Sequence, residues 1–215
     1  MGTYSTIVRF FQEGGIFMYP IMLVMAVGLA VAVERYLYLS RSRAVNRKMW
    51  NELMPVLQSG KYQQAMSAVA KSDTPICKIL NYGLLRVRNA RRREDIEMAM
   101  EEGLMEIIPR LEKRTHYLAS FANIATLLGL LGTIIGLIQA FTAVANANPA
   151  EKAELLSSSI SVAMNTTAFG LIVAIPLLLV YSVLQSKTTE IVDSLEMASV
   201  KFLNMVTERT KTEAA

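Results

Sequence analysis

Three stretches of this chain carry no charge: residues 16–33, 117–150 and 155–186. Nothing else in the sequence constrains the fold as strongly. A helix needs about 20 mostly apolar residues to cross the hydrocarbon core of a bilayer. The first stretch is just long enough, and Leu37, Tyr38 and Leu39 extend it. The other two exceed the need, so their ends tilt or project beyond the membrane. A chain with 53% hydrophobic residues gathered into such blocks does not read as soluble. The fold class expected is an all-α integral membrane protein with three transmembrane helices.

Orientation follows from Lys and Arg near the span ends. The segment between the first two stretches is rich in them: Arg35, Arg41, Arg43, Arg47 and Lys48 at its start, Arg110, Lys113 and Arg114 at its end. The connection "NANPAEKAE" holds only Lys152, and the N-terminal tail only Arg9. The N-terminus is therefore expected outside and the C-terminus inside. The run "RVRNARRRED" is basic enough to ask about nucleic acid, but its interleaved Asn89, Glu94 and Asp95 favour a solvated turn. No nucleic-acid partner is expected; membrane lipid is. The single cysteine, Cys77, cannot build a disulfide framework. One His and one Cys make no metal cluster. The N-terminus lacks a basic start and a small-residue cleavage site, so it does not read as a secretory signal.

Residues 1–15 are expected to form an outer-surface amphipathic helix, with Tyr4, Ile7, Val8 and Phe11 on one face, ended by Gly14 and Gly15. Residues 16–39 form the first span and 40–116 a cytoplasmic helical domain. Residues 117–146 form the second span, 147–154 an outer, periplasmic loop, 155–186 the third span, and 187–215 a cytoplasmic C-terminal helix and tail. Within the cytoplasmic part, two short helices flank Asp73 to Pro75. A longer one then places Ile96, Met100, Leu104, Ile107 and Leu111 at steps of three and four. That helix is expected to run unbroken into the second span, bent but not ended by Pro109.

The second span holds "LLGLLGTIIGLIQ", with three glycines where glycine is a poor helix former. Ala122, Ala125, Gly129, Gly132, Gly136 and Ala140 follow at steps of three or four. Small residues mark where helix backbones approach closely in lipid. The third span has a similar stripe: Ser159, Ala163, Thr167, Gly170 and Ala174, with Thr166 at its edge. Pro176 removes one intrahelical bond and frees a carbonyl. Thr126 and Thr133 lie beside the first stripe. Their plain reading is a bond to their own helix; hydroxyls along two stripes also suit a lined cavity. No ionisable side chain lies in the central part of any span, and an ion pathway normally needs one. If this chain moves ions, another chain brings the carboxylate.

These residues resemble the MotA/TolQ/ExbB family, and most its three-span ExbB/TolQ branch. The likeness rests on "LLGLLGTIIGLIQAF" and "SISVAMNTTAFGLIVAIP", above all Gly132-Thr133, the run from Thr167 to Gly170 and the ending Ala174-Ile-Pro176. The layout of spans and loops agrees along nearly the whole chain. The resemblance implies a homo-pentamer around two copies of an ExbD/TolR-like single-span partner that carries an Asp in its span. It implies an ion-driven motor in the bacterial inner (cytoplasmic) membrane that energises TonB- or Tol-type transport or maintenance at the outer membrane, through a TonB- or TolA-like protein. Thr133 and Thr167, with Thr166, match positions facing that Asp. Gly129, Gly132, Gly136, Ala163, Gly170 and Pro176 would pack the helices around the pore. No enzyme activity, cofactor or metal is implied beyond the transported H+ or Na+.

Two features depart from the pattern. Relatives often have Glu where this chain has Val162, which bears on any proton route through that residue. The doubled Thr166-Thr167 resembles sodium-type stators, although protons are usual in the three-span branch. His116 and Asn123 are candidates for a cytoplasmic ion exit, against the plainer reading of an interfacial His beside Tyr117. A non-conducting scaffold that assembles partner helices is the alternative function.

Overall fold

A computed structural model describes residues 10–11, 14–87 and 92–213. The helices bounded within the described residues are α1 (Met18–Gln58), α2 (Tyr62–Val69), α3 (Pro75–Val87), α4 (Arg93–Glu112), α5 (Tyr117–Asn146) and α6 (Lys152–Glu213). No strand occurs among the described residues. Three stretches are long and apolar enough to cross a membrane: Met18–Gln58, Arg93–Asn146 and Lys152–Glu208. The all-α class and the three candidate spans therefore agree with the sequence. The proposed outer-surface helix at 1–15 falls largely outside the described residues.

The chain divides into two compact units. One comprises Met1–Glu34 and Arg114–Val183, the other Arg35–Lys113 and Leu184–Ala215. In the first, Gly15 takes φ +74°, a conformation open to glycine, just before α1 begins. Pro20 then falls in the first turn of α1, where its missing N–H costs nothing. Met18, Ile21 and Ala32 of α1 are buried. A side chain at Gly28 would strike Leu177 of α6 at 2.9 Å, so α1 lies close against α6 here.

The second unit is built on large apolar side chains. Leu53, Leu57, Ile79, Leu80, Leu84, Leu111, Leu184 and Phe202 are almost wholly enclosed. Ile96, Met100, Ile107 and Leu111 form the inward face of α4, and Ile191, Leu195, Ala198 and Phe202 that of α6. Cys77 is buried in the same unit. The end of α1 is closed by Gly60 at φ +71°. The N–H groups of Gly60 and Lys61 bond to the carbonyls of Leu57 and Val56, satisfying two of the helix's last acceptors. Buried Asn46 on α1 accepts the Ile76 N–H at 3.3 Å and so caps the start of α3. Tyr82 of α3 donates to Glu106 of α4 at 2.8 Å, and that carboxylate holds the phenol's pKa above its ordinary value.

The uninterrupted helix expected from residue 93 into the second span is not found. α4 ends at Glu112, and Arg114 adopts φ +69° before α5 starts. Pro109 lies inside α4 and is not the cause. The break leaves the Leu111 carbonyl without its intrahelical donor, and the guanidinium of Arg35 occupies it. A cation at a helix C-terminus also complements the helix dipole. Arg35 is 3% exposed and lies 4.6 Å over the Tyr38 ring. It is thus a buried structural group, beyond the surface topology signal read from the sequence. Arg114 itself reaches towards Glu34 at 4.0 Å.

Candidate functional site

The two small-residue stripes meet each other within the first unit. A Cβ on Gly129 would come within 3.2 Å of the Thr167 Cα and 3.4 Å of the Gly170 Cα. One on Gly170 would strike the Ala125 carbonyl oxygen at 2.7 Å. One on Gly136 would lie 2.9 Å from the Ala163 Cβ. α5 and α6 therefore pack backbone against backbone, which small residues such as glycine and alanine permit. Ala122, Ala125, Ala140, Ala163 and Ala174 are all buried.

This contact sorts the three threonines. Thr167 donates across it to the Gly129 carbonyl at 2.9 Å. Thr166 is 2% exposed; its hydroxyl lies 2.6 Å from the Gly14 carbonyl and 3.1 Å from that of Val162. Its methyl fills the space opposite Gly132, where a Cβ would strike it. Thr133 is half-exposed and donates to Leu130 of its own helix at 2.6 Å. Thr133 lies one turn, about 6 Å, along α5 from Gly129, the acceptor for Thr167. Around it the helix shows lipid-compatible side chains, with Leu130, Ile134 and Leu137 exposed. Thr133 is thus a hydroxyl on an aliphatic outer flank, close in level to a second hydroxyl inside the helix pair.

The remaining residues fall elsewhere. Val162 is half-buried, 3.4 Å from where a Gly15 Cβ would be. Phe11 stacks edge-on to Phe169 of α6 at 5.0 Å, beside buried Thr166 in the sequence of α6. Pro176 lies inside α6, so the Ile172 carbonyl lacks its usual intrahelical donor. His116 is exposed and packs against the Tyr117 ring at 4.4 Å. Asn123 is exposed on α5, about 15 Å along the axis from Thr133, and His116 is about 25 Å from it. Neither is brought to the threonines. No group of three or more His, Cys, Asp or Glu able to hold a metal occurs among the described residues.

The segregation of Thr166 from Thr167 was not legible in the sequence, because its partner Gly14 lies 152 residues away. Thr115 is a further residue that sequence reasoning passed over. It is 1% exposed beside the Arg114 break, and its hydroxyl has no partner among the described residues. Nothing in its local sequence marks it.

Comparison with known proteins gives a consistent result. The family described as the MotA/TolQ/ExbB proton channel family matches residues 71–197. A biopolymer transport protein ExbB homolog of Methanothermobacter thermautotrophicus is 29% identical over 196 residues, 90% of this chain and 68% of the relative. The biopolymer transport protein ExbB of Neisseria gonorrhoeae is 27% identical, covering 83% of this chain and 85% of the relative. The Tol-Pal system protein TolQ of Haemophilus influenzae is 33% identical over 93 residues, 43% of this chain and 40% of its own.

Proposed function

Because this chain belongs to the MotA/TolQ/ExbB proton channel family, we propose that it is the ion-conducting subunit of an inner-membrane motor. It assembles as a homo-pentamer around an ExbD/TolR-like single-span partner with an Asp in its span. Ion passage at that Asp drives motion passed to a TonB- or TolA-like protein. The observation that carries this reading is Thr133. It is a half-exposed hydroxyl on an otherwise aliphatic flank, one turn from the Thr167–Gly129 bond. The stripe of glycines beside it is already used within the chain. What faces outward at Thr133 is a polar contact awaiting a group from another chain. The chain's own spans hold no ionisable residue centrally, so a carboxylate from outside supplies the titrating group.

The transported ion is the proton in this reading. Sodium would need several oxygen ligands, and a threonine pair offers two hydroxyls only if both are free. Here Thr166 is buried and its hydroxyl is engaged with Gly14, which supports protons over sodium. Val162 in place of a carboxylate supports a route that runs through the partner's Asp alone.

The test is native mass spectrometry of the protein taken from its own membrane in mild detergent. Five copies with two of a small, Asp-bearing single-span chain are expected. A homo-oligomer with no such companion would replace the motor with a scaffold, and the threonines would return to helix packing.

A further inference from the structure

The first helix carries a cationic groove just beyond its apolar run. It has a volume of about 520 Å³ and is lined by Ser40, Arg43, Ala44, Arg47, Lys48 and Asn51. Residues 40–51 hold four cations and no carboxylate. We infer that this groove binds the phosphate headgroup of an anionic phospholipid.

The charges are only partly compensated. Arg43 pairs with Glu190 of α6 at 2.8 Å, and Lys48 approaches Glu52 at 3.9 Å. Arg47 has no carboxylate partner among the described residues. The Lys187 ammonium donates to the Ser40 hydroxyl at 3.3 Å and lies 3.8 Å over the Tyr36 ring. Ser40 accepts in that bond, so its own proton remains free for a phosphate oxygen. The groove thus offers a hydroxyl, an amide and an unpaired guanidinium to one anion.

Depth selects a lipid over a soluble anion. Leu39 closes the apolar run, and Arg43 follows it by about 6 Å of helix rise, Arg47 by about 12 Å. The headgroup layer is about 5–8 Å thick on each side of the hydrocarbon. Ser40 and Arg43 fall within that layer, and the long side chains of Arg47 and Lys48 reach back to it. Tyr36 and Leu37 are exposed one turn earlier on α1 and give the upper acyl chain an apolar strip. Interfacial tyrosine belongs at this level. A topology signal alone needs only the charges; the free guanidinium set beside a hydroxyl and an amide on one helix face is what a bound headgroup requires. The inference rests on α1 crossing a membrane and is independent of whether the assembly conducts.

The experiment titrates the delipidated full chain in detergent with short-chain phosphatidylglycerol, phosphatidylcholine or soluble glycerol phosphate. The single tryptophan, Trp50, adjoins the groove in sequence and reports binding by its fluorescence. Native mass spectra count bound lipid. Phosphatidylglycerol should bind at least tenfold tighter than phosphatidylcholine. Arg47→Gln with Lys48→Gln should weaken it about 30-fold, from about 1 kcal/mol per surface cation. Arg86→Gln with Lys201→Gln, an equal loss of charge outside the groove, should change nothing. Equal binding of the two lipids, or unchanged affinity in the double variant, would overturn the inference. Glycerol phosphate binding as tightly as the lipid would assign the groove to a soluble anion instead. A changed oligomeric mass in the double variant with lipid binding intact would assign it to a second copy of the chain.

Discussion

The two units of this protein are packed by opposite rules. In the unit containing α5, the contact between α5 and α6 is built on alanine and glycine. Large buried side chains such as Met18, Ile21 and Phe169 lie elsewhere in the unit, and most large side chains of α5 face out: Ile124, Leu127, Leu131, Ile138 and Phe141 are all exposed. In the other unit the interior is leucine, isoleucine and phenylalanine, and the outer positions of α4 are largely charged, among them Glu94, Glu97 and Glu101. The difference is one of solvent. Lipid gives helices little hydrophobic reason to associate, so close backbone approach and shared hydrogen bonds do the work. Water gives a strong reason to bury large apolar area. One chain meets both demands because α1 and α6 each contribute residues to both units, changing their inward residues along their length.

The comparison can be broken first in the large-residue unit. Phe202 is fully enclosed. Phe202→Ala should cost about 3–5 kcal/mol by leaving a cavity, read as a large drop in thermal stability in detergent. A loss below about 1 kcal/mol would mean that this core is plastic rather than packed.

Next comes the small-residue unit, where adding atoms should hurt. Gly170→Ala drives a methyl into the Ala125 carbonyl, which is backbone and cannot swing aside. It should destabilise by about 1–3 kcal/mol. Gly83→Ala in the other unit is the matched control. There the new methyl meets side-chain atoms only, the Met100 sulfur and the Phe202 ring edge. The gain in helix propensity, about 1 kcal/mol, offsets part of the crowding, so the cost should be smaller than at Gly170. Equal effects at the two glycines would erase the distinction between the units.

Smaller still is Thr167→Val, which keeps the shape and removes the bond to the Gly129 carbonyl. Interhelical bonds of this kind contribute about 0.6 kcal/mol, rarely above about 1.7, so the assembly should survive with a slightly lower melting point. The smallest effect concerns Asp73. Its hydrogen bond and charge contact with Lys78 hold its carboxyl below the usual range. A lowered folded-state pKa contributes stability above the ordinary carboxylate pKa and loses it as pH falls through the lowered value. Lys78→Ala should flatten only that acid limb of a melting-point profile. A change at neutral pH that varies with pH there would assign the pair a different role.

Much of this was legible in residue order. The three charge-free blocks announced the candidate spans, and the steps from Ile96 to Leu111 announced the inward face of α4. The small-residue stripes could be read as contact surfaces, but not as partners of each other, since spacing says nothing about which helix lies opposite. The break at Arg114 was hidden because no glycine or proline marks it. It is favoured by a tertiary contact, the Arg35 guanidinium on the Leu111 carbonyl, which no local pattern records. The same holds for Thr166, adjacent to Thr167 in sequence yet committed to Gly14.

The central claim is that Thr133 and Thr167 serve an ion path whose carboxylate comes from a partner. The most direct measurement is ion flux through the reconstituted assembly, with Thr133→Val and Thr167→Val compared with wild type at equal assembly by native mass. Flux should fall at least about tenfold, equivalent to about 1.4 kcal/mol on the barrier, while the complex stays intact. Full flux and full energised activity in both variants would contradict the account.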